Sequence, residues 1–418
     1  MSEEIKQRIE QIRHGNVPEG YKKTAAGIIP ETWKQVRIGD VCVVNPLRSR
    51  FPEEQVTFLG MADVSEEGRL INPSIVDYST VCKGFTPFER GDILVAKITP
   101  CFENGKGADT SALPTQQGYG STEFHVLRSK DIDKRYLFLH TTSYEFRKKL
   151  ESEMTGSAGQ KRVQTDSVAS YLLGLPSAGE QHQIAEIVSA QDRIIELKEK
   201  LLAEKQRQKK YLMQQLLTGK KRLPGFTEEW KSAPIGMFLE SRNIKQVPSA
   251  EAPLMAFIAG EGVSSKGERY DRSHLVKDDT KKYKLTELND FIYSSNNLDV
   301  GSIGLNKYGT AVISVVYEIF KMKANVVPAV VSEVIQMPRN MHHILSYRQG
   351  AFYGQYRIFA EDFLSVSIRM PGYEEQIAIG QVLNAADKEI ELLRKDIEQE
   401  KQKKKALMQL LLTGIVRV

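Results

Sequence analysis

Asp92 and Lys97 are spaced like the first carboxylate and the lysine of a metal-dependent nuclease. Val95, however, stands two residues before the lysine, where a second acid is needed. Asn45-Pro46-Leu47 and Asn72-Pro73-Ser74 begin like the Asn/Asp-Pro-Pro-aromatic run that holds an adenine amino group, and both lack the second proline. No Gly-x-x-x-x-Gly-Lys-Ser/Thr phosphate loop occurs. The stretch Phe257–Gly262 has the glycines of a cofactor loop, yet its counterpart earlier in the chain, Phe58–Asp63, reads as a scaffold turn. Cys42, Cys82 and Cys101 lack metal-ligand spacing, and the His342-His343 pair has no Cys or His partner at a zinc-like interval. The sequence predicts a non-enzymatic chain with no metal or cofactor of its own.

What its loops do carry is hydrogen-bonding chemistry of the kind that reads base edges. Arg and Lys suit guanine, Asn and Gln suit adenine, and small hydroxyls suit either. Directly after a predicted strand come Lys97, Thr99, Asn104 and Lys106, and further on Gln160, Lys161 and Arg162. A second set, at corresponding places later in the chain, comprises Ser295, Asn296 and Asn297, then Lys307 and Tyr308, then Gln355, Tyr356 and Arg357. These are the candidate contact residues of the two loop sets. The basic runs Lys209-Lys210, Lys220-Lys221-Arg222 and Lys403-Lys404-Lys405 lie on or beside predicted helices and read as solvated helix faces.

Reading loops need a firm scaffold, and here the scaffold is written twice. Sliding the chain by 195 positions matches Pro176 with Pro371, Glu180-Gln181 with Glu375-Gln376, and Asp192 with Asp387. The same slide matches Leu212-Met213 with Leu407-Met408, Leu216-Leu217-Thr218-Gly219 with Leu411-Leu412-Thr413-Gly414, and Arg222 with Arg417. Fainter matches precede these: Trp33 with Trp230, Asp92-Ile93 with Asp290-Phe291, and Gly159-Gln160 with Gly354-Gln355. Nearly identical segments imply one job done twice. Diverged modules on a common skeleton imply two different targets.

Within each module, short alternating runs bounded by Gly, Pro and Asn predict half-buried strands, for example Gln35–Ile38, Gly91–Ala96 and Glu123–Leu127, with one helix at about Tyr136–Glu151. Each closely repeated segment predicts a long helix. Steps of three and four carry an apolar seam through Ile184, Val188, Ile195, Leu202, Leu212 and Leu216 in the first. In the second it runs through Ile379, Leu383, Ile390, Leu393, Ile397, Leu407 and Leu411, and both seams turn polar at the same place. This is a coiled-coil pattern, and at 1.5 Å per residue each rod is roughly 50–57 Å long. A lone amphipathic rod leaves its seam in water, so the two are expected to pair, antiparallel if a two-fold axis relates the modules. The fold class is α+β. It comprises an N-terminal helix or extension (1–20), a target module (21–176), a long helix (177–219), a second module (220–371) and a second long helix (372–418).

Composition sets looser bounds. The 418 residues are 41% hydrophobic and 27% charged with a net charge of +5, a mild basicity that separates no class of partner. No apolar run approaches the roughly 18 residues that span a membrane, and the charged start is unlike a secretory signal. Three cysteines without a framework suit a reducing compartment, so the cytoplasm is the expected location.

The pattern Leu175-Pro176 … Glu180-Gln181 … Ile184-Ala185 … Asp192 … Leu216-Leu217-Thr218-Gly219-Lys220, present twice at the ends of two α+β modules, resembles the specificity subunits of type I restriction–modification systems. The resemblance covers the chain beyond its first 20 residues; the second copy departs at Ile415-Val416 and Arg369-Met370. It implies two target-recognition domains, each reading one half of a split, asymmetric site in double-stranded DNA. It implies helices that set the gap between halves and dock two adenine methyltransferase (M) subunits. S-adenosylmethionine, ATP and Mg would belong to partner subunits, restriction and translocase (R) subunits among them, with no membrane involved. A coiled-coil structural adaptor that binds proteins through its two modules is the alternative. The steep salt dependence of phosphate contacts separates the two.

Overall fold

The computed structural model describes residues 3–47, 53–157, 159–264, 280–296, 298, 302–352 and 355–418. The chain divides into two compact units, Met1–Glu199 with Lys395–Val418, and Lys200–Arg394.

In the first unit an antiparallel four-stranded sheet runs in the order Cys42–Val44, Phe124–Ser129, Ile93–Ala96, Gly107–Asp109. The period-two geometry of a strand divides Ile93–Ala96 between two cores. Ile93 and Val95 join the large cluster around Trp33, Tyr136 and Phe146, while Leu94 joins a smaller one with Leu59, Phe88 and Phe124. A second sheet, Ser74–Asp77, Gln55–Leu59, Gln117–Gly120, Thr86–Glu89, contains a parallel pair between Gln55–Leu59 and Gln117–Gly120. Lys34–Arg37 pairs with Leu172–Leu175 just before the first long helix.

The single helix expected over Tyr136–Glu151 is in fact two, Lys134–Thr142 and Tyr144–Glu151. Ser143 separates them: its backbone is extended (ψ 152°) and its hydroxyl accepts the Phe146 amide at 3.3 Å. A serine that caps a new helix competes with continuing the old one. The N-terminal helix, Glu3–Arg13, buries none of its own residues but reaches the core's edge through Arg8. That guanidinium donates to the Ile415 carbonyl at 2.7 Å and lies over the Tyr21 ring.

The second unit repeats the first sheet strand for strand, in the order Leu239–Ser241, Tyr317–Met322, Phe291–Ser294, Ile303–Leu305. Lys231–Pro234 pairs with Ser367–Met370, again just ahead of a long helix. Its second sheet differs. Lys245–Gln246, Tyr283–Thr286 and Ala311–Ile313 form three strands, and among the described residues the parallel partner is a bridge from Leu254 to Val312. Helices Pro328–Ile335 and Pro338–Leu345 follow, each opening on a proline where no intrahelical N–H is needed.

The long helices span Ala178–Leu216 and Tyr373–Leu412. All the apolar seam positions, from Ile184 to Leu411, are buried or half-buried. In the first unit the two helices run antiparallel: Asp192 meets Lys404 at 2.7 Å, while Lys198 meets Asp396 at 2.8 Å. In the second unit Lys205 meets Glu389 at 2.6 Å and Lys209 meets Asp387 at 2.5 Å, in the same antiparallel sense. Where the seams turn polar, ion pairs across the helices replace apolar knobs. Lys209 and Lys404 are therefore not solvated face residues, which corrects the expectation for these two, while Lys210, Lys403 and Lys405 are exposed as expected.

Candidate nucleic-acid interface

The reading loops are only as well placed as the modules that carry them, and each module is fixed to helix ends by the same buried chemistry. In the first unit the Trp33 indole donates to the Glu180 carboxylate at 3.1 Å. Arg417 forks onto the same carboxylate, 2.9 Å from its Nη2, and lies over the Trp33 ring. In the second unit Trp230 donates to Glu375 at 2.8 Å, and Arg222 forks onto it at 2.6 and 2.7 Å while lying over Trp230. The start of each long helix is thus closed by the arginine that follows the end of the other. Arg222, expected on a solvated face, has this anchoring role instead. The neighbouring glutamines behave alike. Gln181 donates to the Pro176 carbonyl and accepts the Asp133 amide; Gln376 donates to the Pro371 carbonyl and accepts the Val327 amide. A buried carboxylate or amide survives only with such partners, which is why Glu-Gln and Arg recur at an unchanged spacing.

In the first module the strand Ile93–Ala96 runs out into the loop that begins at Lys97, and a second loop is sewn to it. The Thr99 amide donates to the Lys161 carbonyl at 3.0 Å, and the Val163 amide to the Lys97 carbonyl at 2.9 Å. Ile98 and Arg162 form a bridge pair. The structure therefore brings Lys97, Thr99, Gln160, Lys161 and Arg162 together. Arg162 forks onto Glu123 at 2.9–3.2 Å, and that hydrogen bonding lowers the Glu123 carboxyl below its ordinary range. The Thr99 hydroxyl donates to Glu103 at 2.6 Å. Arg147 stiffens the loop from beneath, donating to the Phe102 and Gly105 carbonyls at 2.8 Å each. Burial holds its guanidinium down to about 10. Gly105, at φ +89°, must be glycine here, because a Cβ would meet Arg147 at 2.8 Å. Lys106 turns away and donates to the Met61 carbonyl at 2.9 Å. Asn104, Gln160 and Lys161 remain exposed, offering amide and ammonium groups to an incoming partner.

The second module builds the same junction with other side chains. Ser295 and Asn296 follow the strand Phe291–Ser294, and the Ile358 amide donates to the Ser295 carbonyl at 3.3 Å. Arg357 therefore lies beside Ser295, 3.3 Å from Glu318, with its guanidinium over Phe359. Tyr356 is exposed beneath Arg348. Asn297 and the side chain of Gln355 lie outside the described residues. Lys307 and Tyr308 do not join this cluster. They follow Ile303–Leu305, whose register puts Leu305 opposite Phe291. They sit near Asn289, at the other end of the strand from Ser295 and about 20 Å away at 3.4 Å per residue. Their counterparts by topology are near Asp109 and Ser111, not in the Lys97 loop.

Asp92, the nuclease-like acid, is a buried structural carboxylate. Arg128 forks onto it at 2.7 and 2.8 Å, and the Glu89 amide donates to it. Asp290 is held likewise in the second module, where Arg242 pairs with it at 2.8 Å and donates to it from Nη2 at 3.2 Å, and the Glu287 amide donates to it. Sequence reasoning missed Glu123, Glu318 and Arg147 as loop anchors, since their partners lie far away along the chain. It could have found the Arg222 and Arg417 anchors, because their separation equals that of Glu180 and Glu375. Among the described residues no group of His, Cys, Asp and Glu could hold a metal ion, and no helix is long and apolar enough to cross a membrane.

The chain is similar to known proteins in sequence and in fold. Residues 30–206 match the type I restriction modification DNA specificity domain. The EcoAI and EcoEI type I restriction enzyme specificity subunits of Escherichia coli are 38% and 36% identical over 160 residues, 37% of this chain. That match spans only 27% of either relative's length. A putative type I restriction enzyme MjaX specificity subunit of Methanocaldococcus jannaschii is 24% identical over 96% of this chain and 97% of its own. A chain solved in work on complex assembly and conformational transition of the type I R-M system covers 93% of this one and 99% of itself, with TM-score 0.63 and 18% identity. The HsdS subunit of Thermoanaerobacter tengcongensis covers 93% and 98%, with TM-score 0.51 and 19% identity. At these identities the structures share the fold.

Proposed function

We propose that the chain is a specificity subunit of a type I restriction–modification system, the non-catalytic, DNA-reading subunit of such a complex. Its match to the DNA specificity domain over residues 30–206 and its likeness to curated specificity subunits support this reading. One observation carries this reading. In both modules the same central strand opens into a loop clasped by a second, arginine-bearing loop, while the exposed side chains at that junction differ between modules. An unchanged frame with changed donors and acceptors suits the reading of two unlike half-sites of double-stranded DNA, because side-chain identity selects the base. The candidate contacts are Lys97, Thr99, Asn104, Gln160 and Lys161 for one half, and Asn296, Tyr356 and Arg357 for the other; Ser295, expected among them, is buried with its hydroxyl donating to the Val316 carbonyl at 3.2 Å. The repeated helices suit the docking of two methyltransferase subunits, which bring S-adenosylmethionine. ATP and Mg belong with restriction subunits where these join, and the assembly works in the cytoplasm.

Methylome sequencing of cells that express this chain with its methyltransferase partner tests the proposal. The expected result is a bipartite, asymmetric methylated motif; its absence overturns the reading. A titration of the complex with duplex DNA across salt separates it from a protein-binding adaptor, because phosphate contacts give a steep logarithmic slope. Four residues inserted after Leu202 should alter the gap between half-sites, or abolish assembly, without changing either half-site.

A further inference from the structure

At each loop junction one carboxylate faces two cations, and the two modules divide the cations differently. The 195-residue slide that matches the long helices also matches Glu123 with Glu318 and Arg162 with Arg357. In the first module Arg162 is spent on the carboxylate. Its Nε and Nη2 donate to Glu123 at 2.9–3.2 Å and its Nη1 to the Gln160 carbonyl at 3.3 Å, so all three nitrogens are engaged. The charge of Lys97 is also felt at Glu123, yet among the described residues its ammonium has no partner. In the second module a buried lysine takes the carboxylate instead. Lys284 donates to Glu318 and to the Tyr317 carbonyl at 2.8 Å each. The first module has Thr86 at that place: Lys284 stands three residues before Glu287 and Thr86 three before Glu89, and these two glutamate amides donate alike to Asp290 and Asp92. Threonine carries no charge to balance Glu123, so that task falls to Arg162; Lys284 balances Glu318 and relieves Arg357 of it. Arg357 keeps one long contact to Glu318, 3.3 Å from its Nη2, and is exposed. Among the described residues its Nε and Nη1 have no acceptor, and the Phe359 ring lies under the guanidinium, 5.0 Å away.

We infer that Arg357 is a specificity-determining residue of the second module, forking onto O6 and N7 of a guanine in its half-site. Arg162, its repeat counterpart, is a positioning residue that holds its loop and reads no base. A planar fork with unspent donors matches the two acceptors that guanine shows in the major groove. The ammonium that the first module leaves free, Lys97, is a point donor without that geometry. The inference rests on the reading that each module reads one half of a DNA site. It adds the base that one side chain takes, and the buried lysine that frees it to do so.

Selection from duplexes randomised over both half-sites, by the full chain in complex with its methyltransferase subunit, reads base preference position by position. Arg357→Lys should weaken a guanine preference at one position roughly 5- to 150-fold, the worth of one bidentate base contact, and leave every other position unchanged. Arg162→Lys, the same change at the matching place, should leave the preference at every position as in the wild type. Arg357→Gln gives a readout that does not depend on loss: its amide pairs with adenine, so the same position should turn from guanine to adenine. Lys284→Thr gives Glu318 the neighbour that Glu123 has. Arg357 then closes onto the carboxylate, and the guanine preference should fall although the arginine is still present. An unchanged guanine preference in Arg357→Lys and Arg357→Gln, or an altered base preference in Arg162→Lys, would overturn the assignment. An unchanged preference in Lys284→Thr would overturn the part given to the lysine. A wild type that selects no bipartite sequence overturns the DNA-reading proposal itself, a separate failure.

Discussion

The two modules agree where they meet the long helices and part company where they do not. Each uses a tryptophan, a carboxylate and an arginine to close a helix end, and each has the same four-strand order. Behind that frame the packing is solved differently. Asp133, whose amide caps Gln181, is followed seven residues later by His140; Val327, whose amide caps Gln376, is followed at the same interval by Val334. Both side chains are buried, but one is an imidazole whose Nε2 has no hydrogen-bond partner. The second sheets differ further, and the exposed loops differ most. Constraint thus decreases with distance from the repeated helices: a residue that must fit an unchanged helix end is held, and one that faces a changeable target drifts.

If the helix ends are where the modules are held, the largest effects should follow from opening one of them. Trp33→Ala and Trp230→Ala should each cost about 3–5 kcal/mol, and Glu180→Ala and Glu375→Ala about 2–3 kcal/mol by leaving buried donors unpaired. Hydrogen exchange resolved along the chain checks this. Loss of protection from Glu375→Ala should begin in the second unit and from Glu180→Ala in the first, and uniform loss in both variants would break the comparison.

Acid should separate the units next. Burial pushes the His140 imidazole down from 6.5 to about 3. The unfolded chain therefore binds a proton that the folded chain refuses, so stability is whole above 6.5 and is lost as the pH falls from there towards 3. The slope approaches about 1.4 kcal/mol per pH unit. The first unit should consequently lose more of its stability between pH 7 and pH 5 than it would without His140, and His140→Val, copying the second module, should flatten that dependence. Calorimetry at pH 5 and pH 7 decides; equal acid sensitivity of the variant and the wild type would remove His140 from the account.

The smallest expected effects concern the ion pairs that exchange places under the repeat, Lys209 with Asp387 and Lys404 with Asp192. These are partly exposed, so Lys209→Ala and Lys404→Ala should each cost less than about 1 kcal/mol, and by similar amounts. Denaturant midpoints that differ widely between the two variants would show that the helix pairing is less symmetric than its sequence.

Much of this frame can be read directly from the residues. The seams from Ile184 to Leu216 and from Ile379 to Leu411 declare themselves by period, and strands such as Ile93–Ala96 by unbroken apolar content between turns. Local competition is harder to see: Ser143 divides one expected helix because its hydroxyl caps a new one, a choice that periodicity does not register. Charge partners are harder still. The lysines at 209 and 404 look solvated in sequence because their carboxylates lie on the other helix. The candidate contacts were legible as loop chemistry, but their grouping was not. Strand register decided that Ser295 and Arg357 lie together and that Lys307 lies at the far end of the sheet.

On the proposed reading each module reads one half of a split DNA site. Paired methylome sequencing decides this, with a Gln160→Ala, Lys161→Ala double variant beside Asn296→Ala, each expressed with the methyltransferase subunit. Each variant should relax one half of the bipartite motif, a different half in each case, by about 1–3 kcal/mol of discrimination per lost base contact, and leave the other half intact. Two variants that relax the same half, or one that relaxes both halves, would show that the modules do not read separately.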